Sequence, residues 1–303
     1  MTVDSYGDVT GEYQALHRSA GVVDGAHVLV RVAGPDAETF LDSLLSQDLG
    51  GLADGTVVRS LLLGPRGKLR ALLWVVRFGD EFLLVSDAAT GPSVVEDLAR
   101  FKLRVQLEIG EPEPVLDLIG PDSAAVVDGL DEGTVERAIP APLGGLGRYF
   151  LVGASADDLA TDVRPVGRLA STAVRVEMGE PAMGRDVDES TIPQEAGDVA
   201  ESVSFTKGCY LGQELVARID SRGHVNRHLR GLVLTENALP PDGAEIVVDD
   251  APVGTITSVS ESLTVGAPIG LGLIRREVEP GSPVEIRWPT GNAQAEVRTL
   301  PLV

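Results

Sequence analysis

The chain has 303 residues, 25 Lys and Arg against 46 Asp and Glu, and a formal charge of −21. Hydrophobic residues make up 43% of it, enough at this length to bury one large core or two to three smaller ones, which excludes a disordered chain. A field of that sign repels phosphates and argues against general nucleic-acid binding, although a local basic site is compatible with it. The longest apolar run, residues 71–76, is far too short to span a membrane, and the polar, acidic start lacks the basic flank and apolar stretch of a secretory signal. A single cysteine, Cys209, excludes an internal disulfide framework, a multi-cysteine zinc site and a self-contained iron–sulfur cage. These features together predict a soluble, cytoplasmic protein with one thiol.

Residues 27–33 (HVLVRVA) alternate at period 2 and predict a half-buried strand. Residues 34–36 then open a helix with Phe40, Leu41, Leu44 and Leu45 on one face and Pro35 near its first turn. Strands are expected at 57–63, 69–78 and 81–86, punctuated by turns at 64–67 and 79–80. A helix at 92–101 and a strand at 103–109 follow, then a connector at 111–114, a strand at 115–120, a short helix at 121–130 and a Pro- and Gly-rich loop at 138–147. Beyond residue 231 the pattern changes to short β-rich pieces separated by turns (231–234, 244–248, 252–259, 269–274, 283–288 and 293–300), which predicts a small barrel or sandwich. The expected division is 1–230 and 231–303.

Charge is unevenly spread. Residues 186–201 carry six acidic side chains and no basic one, whereas 202–231 carry five basic (Lys207, Arg218, Arg222, Arg227, Arg230) and two acidic. Ordinary solvated faces would account for such runs. Within the basic window lies KGCYLGQE at 207–214, after which Leu211, Leu215, Val216 and Ile219 repeat at helical spacing. A helix is expected from about Gly212 to Gly223, with Gly223 as its terminating glycine and Arg218 and Arg222 on one face. Cys209 would then sit before a helix N-terminus and two residues from Lys207, both of which favour a thiolate. The residues leave two readings open, an inert small side chain or a reactive thiol. His224 and His228 have the spacing of a metal pair, but Gly223 breaks the helix and no third ligand is near, so no metal site is expected. Residues 64–69 lack the spacing of a phosphate loop.

The 207–214 octapeptide resembles the signature of YgfZ-type folate-binding proteins, implicated in iron–sulfur cluster maintenance and tRNA modification. Residues 175–184 (RVEMGEPAMG), 193–197 (PQEAG), 32–41 followed by 46–48, and the β-rich tail resemble the same family in the same order. The family is similar in fold to the aminomethyltransferase (T-protein) of the glycine cleavage system. The resemblance therefore implies an α+β, multi-lobed fold around a tetrahydrofolate site, with a C-terminal small β-barrel and one lobe that is discontinuous in sequence. It implies that Glu195 contacts the pterin, where a carboxylate suits the paired donors of an aminopyrimidine edge. It places Tyr210, Gln213, Arg227 and Arg230 at the cofactor, the arginines facing the anionic glutamate tail, and gives Cys209 and Lys207 the chemistry.

One departure stands out. Residues 67–72 (GKLRAL) carry no carboxylate where the T-protein pattern has its catalytic aspartate. The reading that follows is a tetrahydrofolate-binding accessory protein that assists iron–sulfur assembly or repair in client proteins, tRNA-modifying enzymes among them. A folate-dependent aminomethyl transferase of T-protein type and a non-catalytic scaffold are the alternatives.

Overall fold

The computed structural model of the chain describes residues 3–159, 163–197 and 199–303; Asp198 and the side chain of Arg222 lie outside the described residues. The N-terminal region is built on a nine-stranded sheet. In chain order it comprises α1 (Val9–Arg18), β1 (Gly21–Ala33), α2 (Ala37–Leu44), β2 (Val57–Leu63), β3 (Leu69–Phe78), β4 (Glu81–Asp87), α3 (Gly91–Phe101), β5 (Glu108–Ile109), β6 (Glu113–Ile119), α4 (Ser123–Asp128), β7 (Arg137–Pro140), β8 (Arg148–Val152) and β9 (Arg164–Pro165). The strand order is β2-β3-β4-β1-β6-β8-β7, with β5 and β9 pairing to β1. The ladders are antiparallel apart from β1 with β9.

The long apolar run of β3 is explained by burial on both faces. Ala71, Leu73 and Val75 pack with Phe40 and Leu41 of α2 and with Val94 and Leu98 of α3. Trp74 and Val76 point the other way, to Val115, Ile139 and Phe150. A strand covered on only one side would alternate instead. The strand expected at 103–109 shrinks to Glu108–Ile109. Leu103 is 76% exposed and Arg104 has φ 59°, a left-handed turn that no strand accommodates. The expected loop at 138–147 contributes part of β7, whose Ile139 is a core residue.

After β9 come α5 (Arg168–Met178), two single-turn helices α6 (Pro193–Ala196) and α7 (Val199–Ser202), and α8 (Gln213–Arg222). The rest of the chain forms a closed barrel, β10-β13-β12-β11-β14-β15, from β10 (Arg227–Leu234), β11 (Glu245–Val248), β12 (Ala251–Ser262), β13 (Ala267–Arg275), β14 (Pro283–Trp288) and β15 (Gly291–Arg298). Leu232, Ile246, Ile256, Ile274, Ile286 and Val297 fill its interior. Closure removes exposed strand edges, so the β-rich pieces of the sequence end as one self-contained unit.

α5 couples the two regions. Its Glu177 is fully buried and accepts hydrogen bonds from Tyr13 Oη of α1 and from Ser262 Oγ of β12, the latter at 2.5 Å. His17 Nε2 lies 2.8 Å from the same carboxylate. Two residues earlier Arg175 donates to Asp186 Oδ2 at 2.6 Å and to Ser258 Oγ at 2.7 Å. The RVEMGEP stretch is therefore a charged joint between sheet and barrel.

Candidate functional site

A cavity of about 990 Å³ opens where sheet, α5–α7 segment and barrel meet. Its walls come from β2 and β3, the loop 140–144, the corner 178–181 after α5, the stretch 193–202, β10 and residues 299–301. Leu61, Leu72, Trp74 and Met178 give flat apolar surface, and Arg59 and Arg230 bring positive charge. Two carboxylates are also present. Glu180 is bound on both oxygens by the buried Arg148, at 2.7 and 3.0 Å. Burial alone would raise its pKa, but the Arg148 charge and hydrogen bonds outweigh that and hold it below the usual carboxylate range. Glu201 is largely exposed and lies 3.9 Å from Arg59.

Glu195 is buried in the same short helix as the lining residues Pro193 and Ala196 but does not itself line the cavity. Pro193 starts α6, and the Glu195 carboxylate folds back to accept from Ile192 N at 3.2 Å. Arg227, at the start of β10, donates from Nε to Oε1 at 2.9 Å and from Nη2 to Oε2 at 3.3 Å. Arg227, expected at an anionic tail, is thus committed to Glu195 and aligns it, while Arg230 lines the cavity.

The 207–214 motif behaves differently from its expected role. The Lys207 side chain is 1% exposed and donates to Asp42 Oδ1 (2.7 Å) and to the carbonyls of Asp42 (2.7 Å), Leu45 (3.1 Å) and Gln47 (2.8 Å). It neutralises the C-terminal end of α2 and has no capacity left to serve the thiol. Tyr210 is buried among Leu63, Leu69 and Val216, with its hydroxyl pushed up to about 12 by burial. Tyr210 and Gln213 line a shallow groove on another face with Pro65 and Arg218, not the cavity. Cys209 is exposed and is not among the cavity-lining residues.

Comparison with solved structures decides the architecture. The crystal structure of glycine cleavage system aminomethyltransferase T from Bartonella henselae superposes with a TM-score of 0.87 at 23% identity, over 97% of this chain and 89% of that one. The fold is that of the glycine cleavage T-protein. Residues 4–140 match the GCVT N-terminal domain and residues 227–303 the glycine cleavage T-protein C-terminal barrel domain. Among curated proteins, the aminomethyltransferase of Thermotoga petrophila is 27% identical over 322 residues (94% of this chain, 86% of that protein). That of Rubrobacter xylanophilus is 28% identical over 311 residues (93% and 83%).

In this T-protein fold the glycines of the two quoted motifs have a shared explanation. Gly67, in the β2–β3 turn, has φ 70° and faces Gly212, which has φ 80° and caps α8. A Cβ on Gly212 would lie 2.7 Å from Gly64 O, and one on Gly67 would lie 2.7 Å from Leu215 Cβ. Turn and helix start therefore meet backbone to backbone. Gly223 ends α8 at the expected place but with φ −109°, an extended conformation. Close packing explains glycine there, since a Cβ would come within 2.9 Å of Ile219 Cα.

Sequence reasoning missed a buried polar cluster behind the Trp74 wall. His27 Nδ1 lies 2.8 Å from Asp117 Oδ2, Asp87 accepts from Met183 N at 3.0 Å, and Arg148 lies beside them. Burial opposes charge on His27, but the charge and hydrogen bond of Asp117 override it and raise the His27 pKa. The stabilisation is then fully present below the unfolded histidine value of about 6.5 and is lost as pH rises through the higher folded value. Melting curves between about pH 6 and 9 should show stability falling as this group deprotonates. His27→Gln should be destabilised at the acid end and flatter across the range; a wild-type slope in that variant would contradict the assignment.

Proposed function

We propose that the cavity takes a reduced folate and that the chain is a tetrahydrofolate-binding protein. The observation that carries this reading is the cavity of about 990 Å³, with flat apolar walls, two arginines and the buried Glu195 carboxylate in a helix that lines one side. Its size is ample for a ligand of folate dimensions, since ligand sites run to roughly 300–1,000 Å³. Leu61, Leu72 and Trp74 suit a planar ring system, and Arg59 and Arg230 suit carboxylates. Glu195 would engage the ring edge with the acceptor capacity that Arg227 leaves. Bound tetrahydrofolate would supply ring and bridge nitrogens able to carry a one-carbon unit. Titration calorimetry with tetrahydrofolate should give one site per chain. Absence of heat at millimolar ligand would remove the reading.

The relatives named aminomethyltransferase favour one-carbon transfer to that folate as the reaction class. A second reading is the YgfZ-type accessory role in iron–sulfur cluster assembly or repair, and a specific observation favours it. No carboxylate stands at 67–72, Leu72 occupies the wall, and Glu180 is a poor proton acceptor while Arg148 holds it. The exposed Cys209 would then meet a client or carrier that supplies further cluster ligands. An assay of methylene-tetrahydrofolate formation from an aminomethyl-loaded lipoyl carrier separates the readings. Cys209→Ala should fold and bind folate as the parent does yet fail to complement a strain lacking a YgfZ-type protein; full complementation would sink the thiol role.

A further inference from the structure

We infer that Arg148 is a positioning residue for the cavity: one buried guanidinium sets three of its walls. Resting on the folate reading, this assigns a role to a side chain outside the cavity itself. Arg148 is 2% exposed. Its Nε donates to the Ala141 carbonyl at 2.7 Å, which fixes the loop 140–144. Its two terminal nitrogens grip Glu180 at 2.7 and 3.0 Å, which fixes the corner 178–181. Its guanidinium carbon stands 4.7 Å from the centre of the Trp74 ring and 4.9 Å from that of Phe150. Ala141, Glu180 and Trp74 all line the cavity, although they come from parts of the chain far apart in sequence.

The remaining surroundings make the arrangement stiff. Trp74 meets Phe150 edge-on at 5.3 Å between centroids and His27 at 5.7 Å, so the indole is braced from behind by two rings and a cation. On the cavity side the Arg59 guanidinium carbon lies 5.4 Å from the same ring. A planar guanidinium donates in a fixed fork while its face remains free to stack, a combination that lysine does not offer. Neutral replacement of both members of a buried ion pair is tolerated far better than loss of one. That permits a test in folded protein.

The experiment titrates 5-formyl-tetrahydrofolate, a stable reduced folate, into Trp288→Phe protein by calorimetry and by Trp74 emission, with and without further substitutions at the pair. The paired variant Arg148→Met with Glu180→Leu should melt cooperatively, bind at least tenfold more weakly and lose the parent's Trp74 emission change. Arg148→Lys keeps the charge but not the fork, and should fall with the paired variant rather than with the parent. A folded paired variant with affinity within twofold of the parent and the same emission response overturns the inference. If that variant does not fold, Glu180→Gln, which keeps shape and one acceptor, takes its place; weakening of severalfold is expected, and unchanged affinity overturns the inference. Should the parent bind no folate, the function reading fails separately. Trp74 emission of the ligand-free proteins then tests the positioning alone, since removing the cation from the ring face must shift it, and an unshifted spectrum refutes the role.

Discussion

Lys207→Met should cost about 2–4 kcal/mol, with the loss appearing as a lower urea midpoint before any functional assay is run. The side chain is 1% exposed and its ammonium satisfies one carboxylate and three carbonyls within 3.1 Å. Methionine fills similar volume but removes the donor to the carbonyls of Asp42, Leu45 and Gln47, and leaves the Asp42 carboxylate without its cation and with only Leu49 N as donor to Oδ1. The upper bound is reduced because Asp42 is partly open to water, at 29% side-chain exposure. Against a typical total stability of 5–15 kcal/mol, a cost of about this size is a large fraction. A midpoint shift equivalent to less than about 0.5 kcal/mol would show that the ammonium is not the strut described, since surface substitutions fall in that range.

Gly212→Ala should be at least as damaging, at about 2–5 kcal/mol. The left-handed conformation alone penalises alanine by roughly 1–2 kcal/mol, and overpacking adds about 1–3. Both terms apply, because φ is 80° and the new Cβ would stand 2.7 Å from Gly64 O and 3.0 Å from Leu63 Cβ. Gly208, four residues earlier in the same motif, is the internal control. A Cβ there meets nothing within 4 Å, and its φ is not positive. Gly208→Ala should therefore stay within about 0.5 kcal/mol of the parent. Equal effects at the two glycines in denaturant titrations would refute the backbone-contact explanation.

What could be read in the sequence was largely local. The β2–β4 meander and the barrel strands show as apolar runs between turn residues, because each run supplies its own pattern and punctuation. Phe40, Leu41 and Leu44 marked α2 by spacing, and Gly212 and Gly223 bracketed α8. The segment around Glu195 is short and local, but the ion pair with Arg227, 32 positions away, is not visible in it. The surroundings of Lys207 were not legible because its partners, at 42–47, are some 160 positions away. The resemblance implies a cofactor role for Tyr210 and Gln213, whereas in the structure they line the groove with Pro65 and Arg218 and do not line the cavity. Arg148, His27 and Asp117 carry no short-range signal of a site, and Glu180, although inside the 175–184 stretch, gives no hint of its partner Arg148, 32 positions away. A lone arginine after Gly147 and a histidine in a strand look like ordinary surface positions until the sheet closes over them.

The cavity wall that includes residues 299–301 has a consequence for how the site comes into being. The segment crosses back from the barrel to α5, where Leu302 N donates to the Glu177 carbonyl at 2.7 Å. During synthesis the N-terminal sheet and its apolar walls emerge first, followed by the barrel, and the last wall arrives only with this return crossing. A molecule held in this cavity would touch the sheet, the corner after α5 and the segment following β15 at once, so binding would favour the arrangement in which barrel and sheet are joined.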